Sequence, residues 1–270
     1  VAEEIVDLLA AEWATLTELG RSLTEPAWDL PTELPGWSVR DNFSHVIGTE
    51  RMLLGESPPE GFDDAAKAPH VKNPIAEVNE RWVAARRHLS GREILDELVD
   101  VSTRRLTALS SMSESDFAKE GWSPIGQVPY REFMRIRLMD TWAHEQDIRR
   151  AVGKPGHEDG PIAESCLDRI VPVLPRIVAK SAGAPQGSSV TFVIDGPLHR
   201  TVTVSVDNGR GMLSPDHAQP DCTLIMSSET FFCISWGRWD PERVLEGADI
   251  AISGDKELGH RVVRSLPFMI

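Results

Sequence analysis

The spacing of apolar residues changes partway along this 270-residue chain, and that change limits the folds open to it. Ile5, Leu8, Leu9, Leu16, Leu19 and Leu23 recur at helical intervals, as do Val78, Trp82 and Ala85 and then Ile94, Leu95, Leu98, Val101 and Leu106. Further on, SVTFVID and RTVTVSV are β-rich runs joined by Gly196-Pro197-Leu198-His199. Helices first and strands later predict an all-helical domain followed by an α+β domain. The stretch GKPGHEDG has the composition of an exposed connection, which places the domains at 1–156 and 157–270.

Local signals set the element ends. TEPAWDLPTELPGW stops the first helix with three prolines. Ser38 with Asp41 three residues on forms a capping-box pattern that opens a helix from Val39 to about Gly55. Asn73-Pro74 starts a third helical segment, interrupted at Ser90-Gly91 and ending near Met112. A fourth covers Tyr130 to Val152, where Gly153 ends it. Four long helical segments predict a bundle. In the second domain, residues 161–181 read as a helix broken by Pro172 and Pro175. Asp207-Asn208-Gly209 is a turn before a short strand at Gly211-Met212-Leu213. Asp221 to Met226 reads as a strand, Glu229 to Trp236 as a helix, and ADIAISG as a last strand before a closing helix.

Charge narrows the partners. Lys and Arg number 28 against 42 Asp and Glu, a net charge of −14 that argues against nucleic acid and anionic membrane surfaces. No apolar stretch reaches the roughly 18 residues of a membrane span. The start, VAEEIVDLLAAEW, is acidic and amphipathic, unlike a secretory leader, although the missing initiator Met implies a trimmed chain. Cys166, Cys222 and Cys233 are odd in number and widely spaced, which fits buried thiols in a reducing cytoplasm. Asn42-Phe43-Ser44 matches a glycosylation sequon but falls inside the second helix, and it is read as chance.

The chemistry concentrates in RIRLMDTWAHEQDIRRAVG. Asp140 and His144 are four residues apart on one helix face, with Arg137 and Asp147 on the same stripe. A carboxylate and an imidazole one turn apart suit a divalent ion, and a third ligand must come from another helix. His45, beside Phe43, Val46 and Ile47, is the best candidate. Two histidines and a carboxylate leave coordination positions open, as a catalytic ion requires. A histidine beside apolar positions is more often a satisfied core residue, and Asp-x-x-x-His on a helix is common by chance, so spacing alone does not select the metal reading.

LPGWSVRDNFSHVIGTE together with MDTWAHEQDIRRAVG resembles the DinB-type metal-binding four-helix bundle of the mycothiol-dependent maleylpyruvate isomerase family. The segment PDCTLIMSSETFFCISWGRWDPERVLEGADIAISGDKEL resembles that family's sterol-carrier-protein-like C-terminal domain. The resemblance implies a metal held by His45, Asp140 and His144, with Asp140 standing where the isomerases resemble a Glu. It implies a divalent ion, zinc in the first instance, and mycothiol as thiol cosubstrate. The expected activity is isomerisation of, or S-transfer to, a small electrophile. The alternative is a non-enzymatic metal- or ligand-binding protein with a structural or vestigial ion.

Other residues carry weaker expectations. Asp147 and Arg149 could orient a ligand imidazole, but an ion pair closing the bundle end is the preferred reading. Arg81, Arg86 and Arg87 could hold a substrate carboxylate, and a solvated helix face explains them as well. Glu50 lies about 140° around the helix from His45 and is not expected as a ligand. Trp37, Trp142, Trp236 and Trp239 read as core and interface aromatics. His70, His88, His157, His199, His217 and His260 carry no spacing signal.

Overall fold

The computed structural model describes residues 3–62, 64–215 and 219–268, so His217 lies outside the described residues. The chain divides into two compact units, the first ending at Gly156 and the second starting at His157.

In the first unit the helices are α1 (Glu4–Arg21), α2 (Val39–Leu53), α3 (Pro74–Ala84), α4 (Gly91–Ser110), α5 (Glu114–Ala118) and α6 (Tyr130–Val152). The four longest close a bundle, with α1 and α2 each packing on both α4 and α6. Their ends follow the local chemistry. Ser38 and Asp41 form a reciprocal capping box on α2, and Ser90 and Glu93 form another on α4. Gly153 adopts φ +63° after α6, the left-handed turn that a side chain would resist. The third helical segment is two helices, because Ser90 caps a new one instead of continuing α3. Periodicity predicts nothing for residues 113–129, yet α5 and a short hairpin of β1 (Glu120–Ser123) and β2 (Gly126–Pro129) fill them. Strands of four residues are too short to show an alternating pattern.

The bundle interior is apolar at Leu9, Trp13, Leu16, Phe43, Ile47, Leu98, Val101, Leu138 and Trp142, all buried. It is not apolar throughout. Glu12, Asn42, His45, Glu50, Arg105, Arg137, His144, Glu145 and Asp147 are buried as well, clustered on α1, α2, α4 and α6. Such groups cost free energy unless paired, so their grouping marks where the bundle departs from a pure packing core.

The second unit begins with α7 (Gly160–Ile170). Pro172 and Pro175 then break the helix into a tight turn, the single-turn α8 (Leu174–Arg176) and a wide turn at Ile177–Ser181. A five-stranded sheet follows in the order β5-β4-β3-β6-β7. Its strands are β3 (Ser189–Asp195), β4 (Arg200–Asp207), β5 (Arg210–Ser214), β6 (Cys222–Ser227) and β7 (Ile250–Gly254). Only β3 and β6 run parallel, with Phe192 opposite Leu224, and the other pairs are antiparallel. Helices α9 (Ser228–Ser235), α10 (Pro241–Glu246) and α11 (Lys256–Ser265) complete the unit. Val190, Phe192, Ile194, Leu224 and Met226 alternate onto the buried face, where Phe192 meets Phe231 of α9 edge-on. No helix among the described residues is long and apolar enough to cross a membrane.

Candidate metal centre

Helices α2 and α6 pack side by side and bring together His45, Asp140 and His144, which lie 95 and 99 positions apart. One nitrogen from each histidine and one carboxylate oxygen lie within 4.8 Å of one another. His45 Nε2 is 3.1 Å from Asp140 Oδ2, and His144 Nε2 is 3.9 Å from Asp140 Oδ1. The two imidazole centroids are 4.6 Å apart. Both histidines are buried, while the Asp140 side chain keeps 27% exposure and marks the open side of the cluster.

The proton on His144 can be placed from its neighbours. Nδ1 lies 2.7 Å from Asn42 Oδ1. The Asn42 amide nitrogen donates to Ser38 O at 2.9 Å and to Thr32 Oγ1 at 3.2 Å, so the amide oxygen is the atom facing the imidazole. An amide oxygen only accepts, so His144 donates through Nδ1, and its Nε2 is the nitrogen that faces Asp140. Burial pulls the His45 pKa below the ordinary 6.5, against the raising influence of Asp140, and the ring is neutral at physiological pH. His45 Nδ1 has no hydrogen-bond partner, so its ring is oriented by packing and by Asp140 alone.

Asp140 is held as a carboxylate. Burial works to raise its pKa, but the charge of the Arg137 guanidinium, with a hydrogen bond from the neutral His45, outweighs it and holds it well below the usual range. Arg137 Nη1 stands 2.5 Å from Asp140 Oδ2. The same guanidinium is 3.0 Å from Glu50 Oε1, and Glu50 Oε2 accepts from Arg105 Nε at 2.8 Å. Two carboxylates and two guanidinia thus alternate beside the donor set, with Arg105 also donating to the Tyr130 hydroxyl.

The donor set fits a divalent cation. Two imidazole nitrogens and an ionised carboxylate oxygen converge, a set of three that could hold one ion. Glu50 faces the two arginines, away from the donors, as its position on α2 implies.

Several other residues sit differently from their expected roles. Asp147 pairs with Arg150 at 2.6 Å and not with Arg149, which binds Glu145, while its second oxygen approaches His144 Nδ1 at 3.6 Å. Arg86 is not on a solvated face, whereas Arg87 is exposed. Arg86 is buried against Glu97 at 2.9 Å, and Arg87 bridges Asp41 and Glu80. Trp142 and Trp236 are buried, as a core reading requires, but the half-buried Trp37 packs against both site histidines. His70 bonds to Glu80. Asn42 is fully buried and its amide is engaged, so it cannot act as a sequon. Its one available signal was its position one turn before His45. All three cysteines are buried, and burial with the charges of Asp255 and Asp221 pushes the Cys222 thiol up to about 11. That makes it a poor nucleophile.

Residues 9–149 match the family described as the mycothiol maleylpyruvate isomerase N-terminal domain, and residues 180–266 match the SCP-2 sterol transfer family. Two uncharacterized proteins from strains of Mycobacterium tuberculosis are each 29% identical to the chain over 163 residues. Those matches cover 54% of this chain and 55% of each relative, so it spans about half the length of the curated relatives it matches. A crystal structure of mycothiol-dependent maleylpyruvate isomerase aligns over 94% of this chain and 93% of its own, with TM-score 0.59 and 18% identity. A mutant of that isomerase gives TM-score 0.55 at 17% identity over the same shares. At that identity the likeness is one of fold.

Proposed function

The chain belongs to the mycothiol maleylpyruvate isomerase N-terminal domain family, and from that premise we infer that it is a divalent-metal enzyme using a low-molecular-weight thiol. The observation that carries the reading is the convergence of His45, Asp140 and His144 from two helices. The proposed thiol is mycothiol and the proposed ion is zinc, which accepts two nitrogens and an oxygen and keeps a position for an outside ligand. Bound there, the ion would lower the pKa of a coordinated thiol from about 8.5, supplying thiolate at neutral pH.

The chain's own groups then have defined tasks. Neutral His45 gives up no net proton on binding the ion, since its Nε2 proton can move to the unpartnered Nδ1, and His144 keeps its Nδ1–H on Asn42. Asn42 holds the His144 ring by its Nδ1–H. Arg137 keeps Asp140 ionised, so the third donor is charged without a proton having to leave. The partly exposed side of Asp140 is where thiol and substrate would enter. The proposed reaction is addition of the thiol sulfur to an electrophilic carbon. Bond rotation and loss of the sulfur give isomerisation, and retention of the C–S bond gives S-transfer. We place it in the cytoplasm, on the ground of three buried thiols.

The test is protein purified without chelator and assayed with mycothiol for isomerisation of maleylpyruvate and for conjugation to small electrophiles. Turnover that needs the thiol, is lost on chelation and returns with zinc supports the reading. A bound ion without thiol-dependent turnover would make the ion structural and the chain a binding protein.

A further inference from the structure

Glu80, in α3, belongs to no motif and touches none of the three proposed ligands, yet it is 1% exposed. A carboxylate so deeply buried needs compensation, and three separate segments provide it. Trp37 donates Nε1–H to Oε2 at 2.9 Å, and His70 Nε2 meets the same oxygen at 3.0 Å. Arg87 Nη2 stands 2.8 Å from Oε1 while its Nε donates to Asp41, the capping-box residue of α2. The connection holding His70 is pressed onto the backbone before Trp37. A Cβ at Gly36 would lie 2.4 Å from His70 Nδ1, and Gly36 itself adopts φ +80°.

The indole held this way meets both site histidines. Its centroid lies 5.2 Å from that of His45 and 5.7 Å from that of His144. Metal-binding imidazoles usually owe their orientation to a hydrogen bond at the second ring nitrogen. His144 has one, to Asn42, but His45 Nδ1 has none. The ring against His45 is Trp37, and a tryptophan has only two side-chain torsions to fix.

We propose that Glu80 is a positioning residue: its carboxylate anchors the Trp37 indole, and the indole sets the planes in which His45 and His144 present Nε2. The inference rests on the proposed donor set for its purpose, but its test does not need the metal. The chain has eight histidines, few enough for their ring protons to be followed one by one in the metal-free protein. Trp37→Ala removes the ring current and identifies the shift at His45 and His144. Glu80→Ala moves the same two resonances in the same direction, and Glu80→Gln, which keeps an acceptor for the indole, restores them most of the way. If Glu80→Ala does not fold, Trp37→Phe reads the same anchor, because it keeps a ring and loses the N–H. A purely structural ion pair would lower stability and leave both resonances in place, and that result overturns the proposal.

The second readout is cobalt(II) affinity by chelator competition. Glu80→Ala weakens it about tenfold, the scale of a lost orienting contact, and Glu80→Gln stays near wild type. An unchanged affinity in Glu80→Ala refutes the positioning role. Wild-type protein that binds no cobalt(II) refutes the donor set instead, while the resonances still decide what Glu80 does.

Discussion

Glu50→Gln isolates the charge of one buried carboxylate at nearly constant shape. Glu50 is 1% exposed and serves two guanidinia that are themselves buried, Arg105 at 2.8 Å and Arg137 at 3.0 Å. Removing one partner of a buried ion pair costs about 3–5 kcal/mol, because the remaining charge stays buried without its counterion. The cost does not double here. Arg137 keeps Asp140 at 2.5 Å, whereas Arg105 is left with the Tyr130 hydroxyl at 3.2 Å and the Met134 sulfur. One orphaned cation, not two, sets the expected loss at about 3–5 kcal/mol, at least a fifth of a typical stability of about 5–15 kcal/mol. The assay is urea unfolding followed by fluorescence, to which six of the eight tryptophans contribute from the first unit. The midpoint falls while the slope is unchanged. The double variant Glu50→Leu with Arg105→Met removes both charges and recovers most of the loss, since an apolar replacement of a buried pair is close to neutral. A loss under about 1 kcal/mol in Glu50→Gln, the scale of an exposed pair, would refute this account of the bundle interior.

Three further outcomes are expected. Asp140→Glu retains metal binding, whereas Asp140→Asn weakens it markedly in chelator competition, because the amide keeps the shape but loses the charge; equal affinities would remove Asp140 from the donor set. Glu12→Gln flattens the pH dependence of stability above 4.5. Burial and the neighbouring Glu145 raise the Glu12 pKa well above that ordinary value, so its contribution is complete below 4.5 and lost as pH rises through the folded pKa. Thermal unfolding of variant and wild type should therefore coincide at acid pH and diverge toward neutrality in the variant's favour, and a constant difference across pH would contradict it. A fragment of residues 1–156 is expected to fold and bind the metal alone; a helical fragment without metal affinity would mean a ligand comes from the second domain.

What could be read from the sequence was local. The capping box at Ser38 and Asp41 and the left-handed turn at Gly153 are decided within a few residues, and helix ends followed from them. The pairing of Asp140 with His144 is likewise one helical turn. His45 was legible only as a candidate, since which helix faces α6 depends on bundle packing. Asn42, Trp37 and Glu80 were not legible as site residues. Each acts through at least one contact distant in sequence, 102 residues for Asn42 with His144 and 43 for Trp37 with Glu80, and an Asn in a sequon or a Glu on a charged helix face carries no local mark of that role. Arg86 failed for the same reason, reading as surface until Glu97 is seen against it, and the exposed Arg87 gave no sign of its pairing with Asp41 and Glu80.

The central claim is that His45, Asp140 and His144 hold one divalent ion, and metal content per chain tests it most directly. Wild type, His45→Ala and His144→Ala would be stripped with chelator, reloaded with zinc, desalted and assayed by elemental analysis beside far-ultraviolet circular dichroism. The account predicts one zinc per chain in wild type and well below one in each variant, with helical signal unchanged in all three. Full occupancy in either variant, with the fold intact, would contradict it.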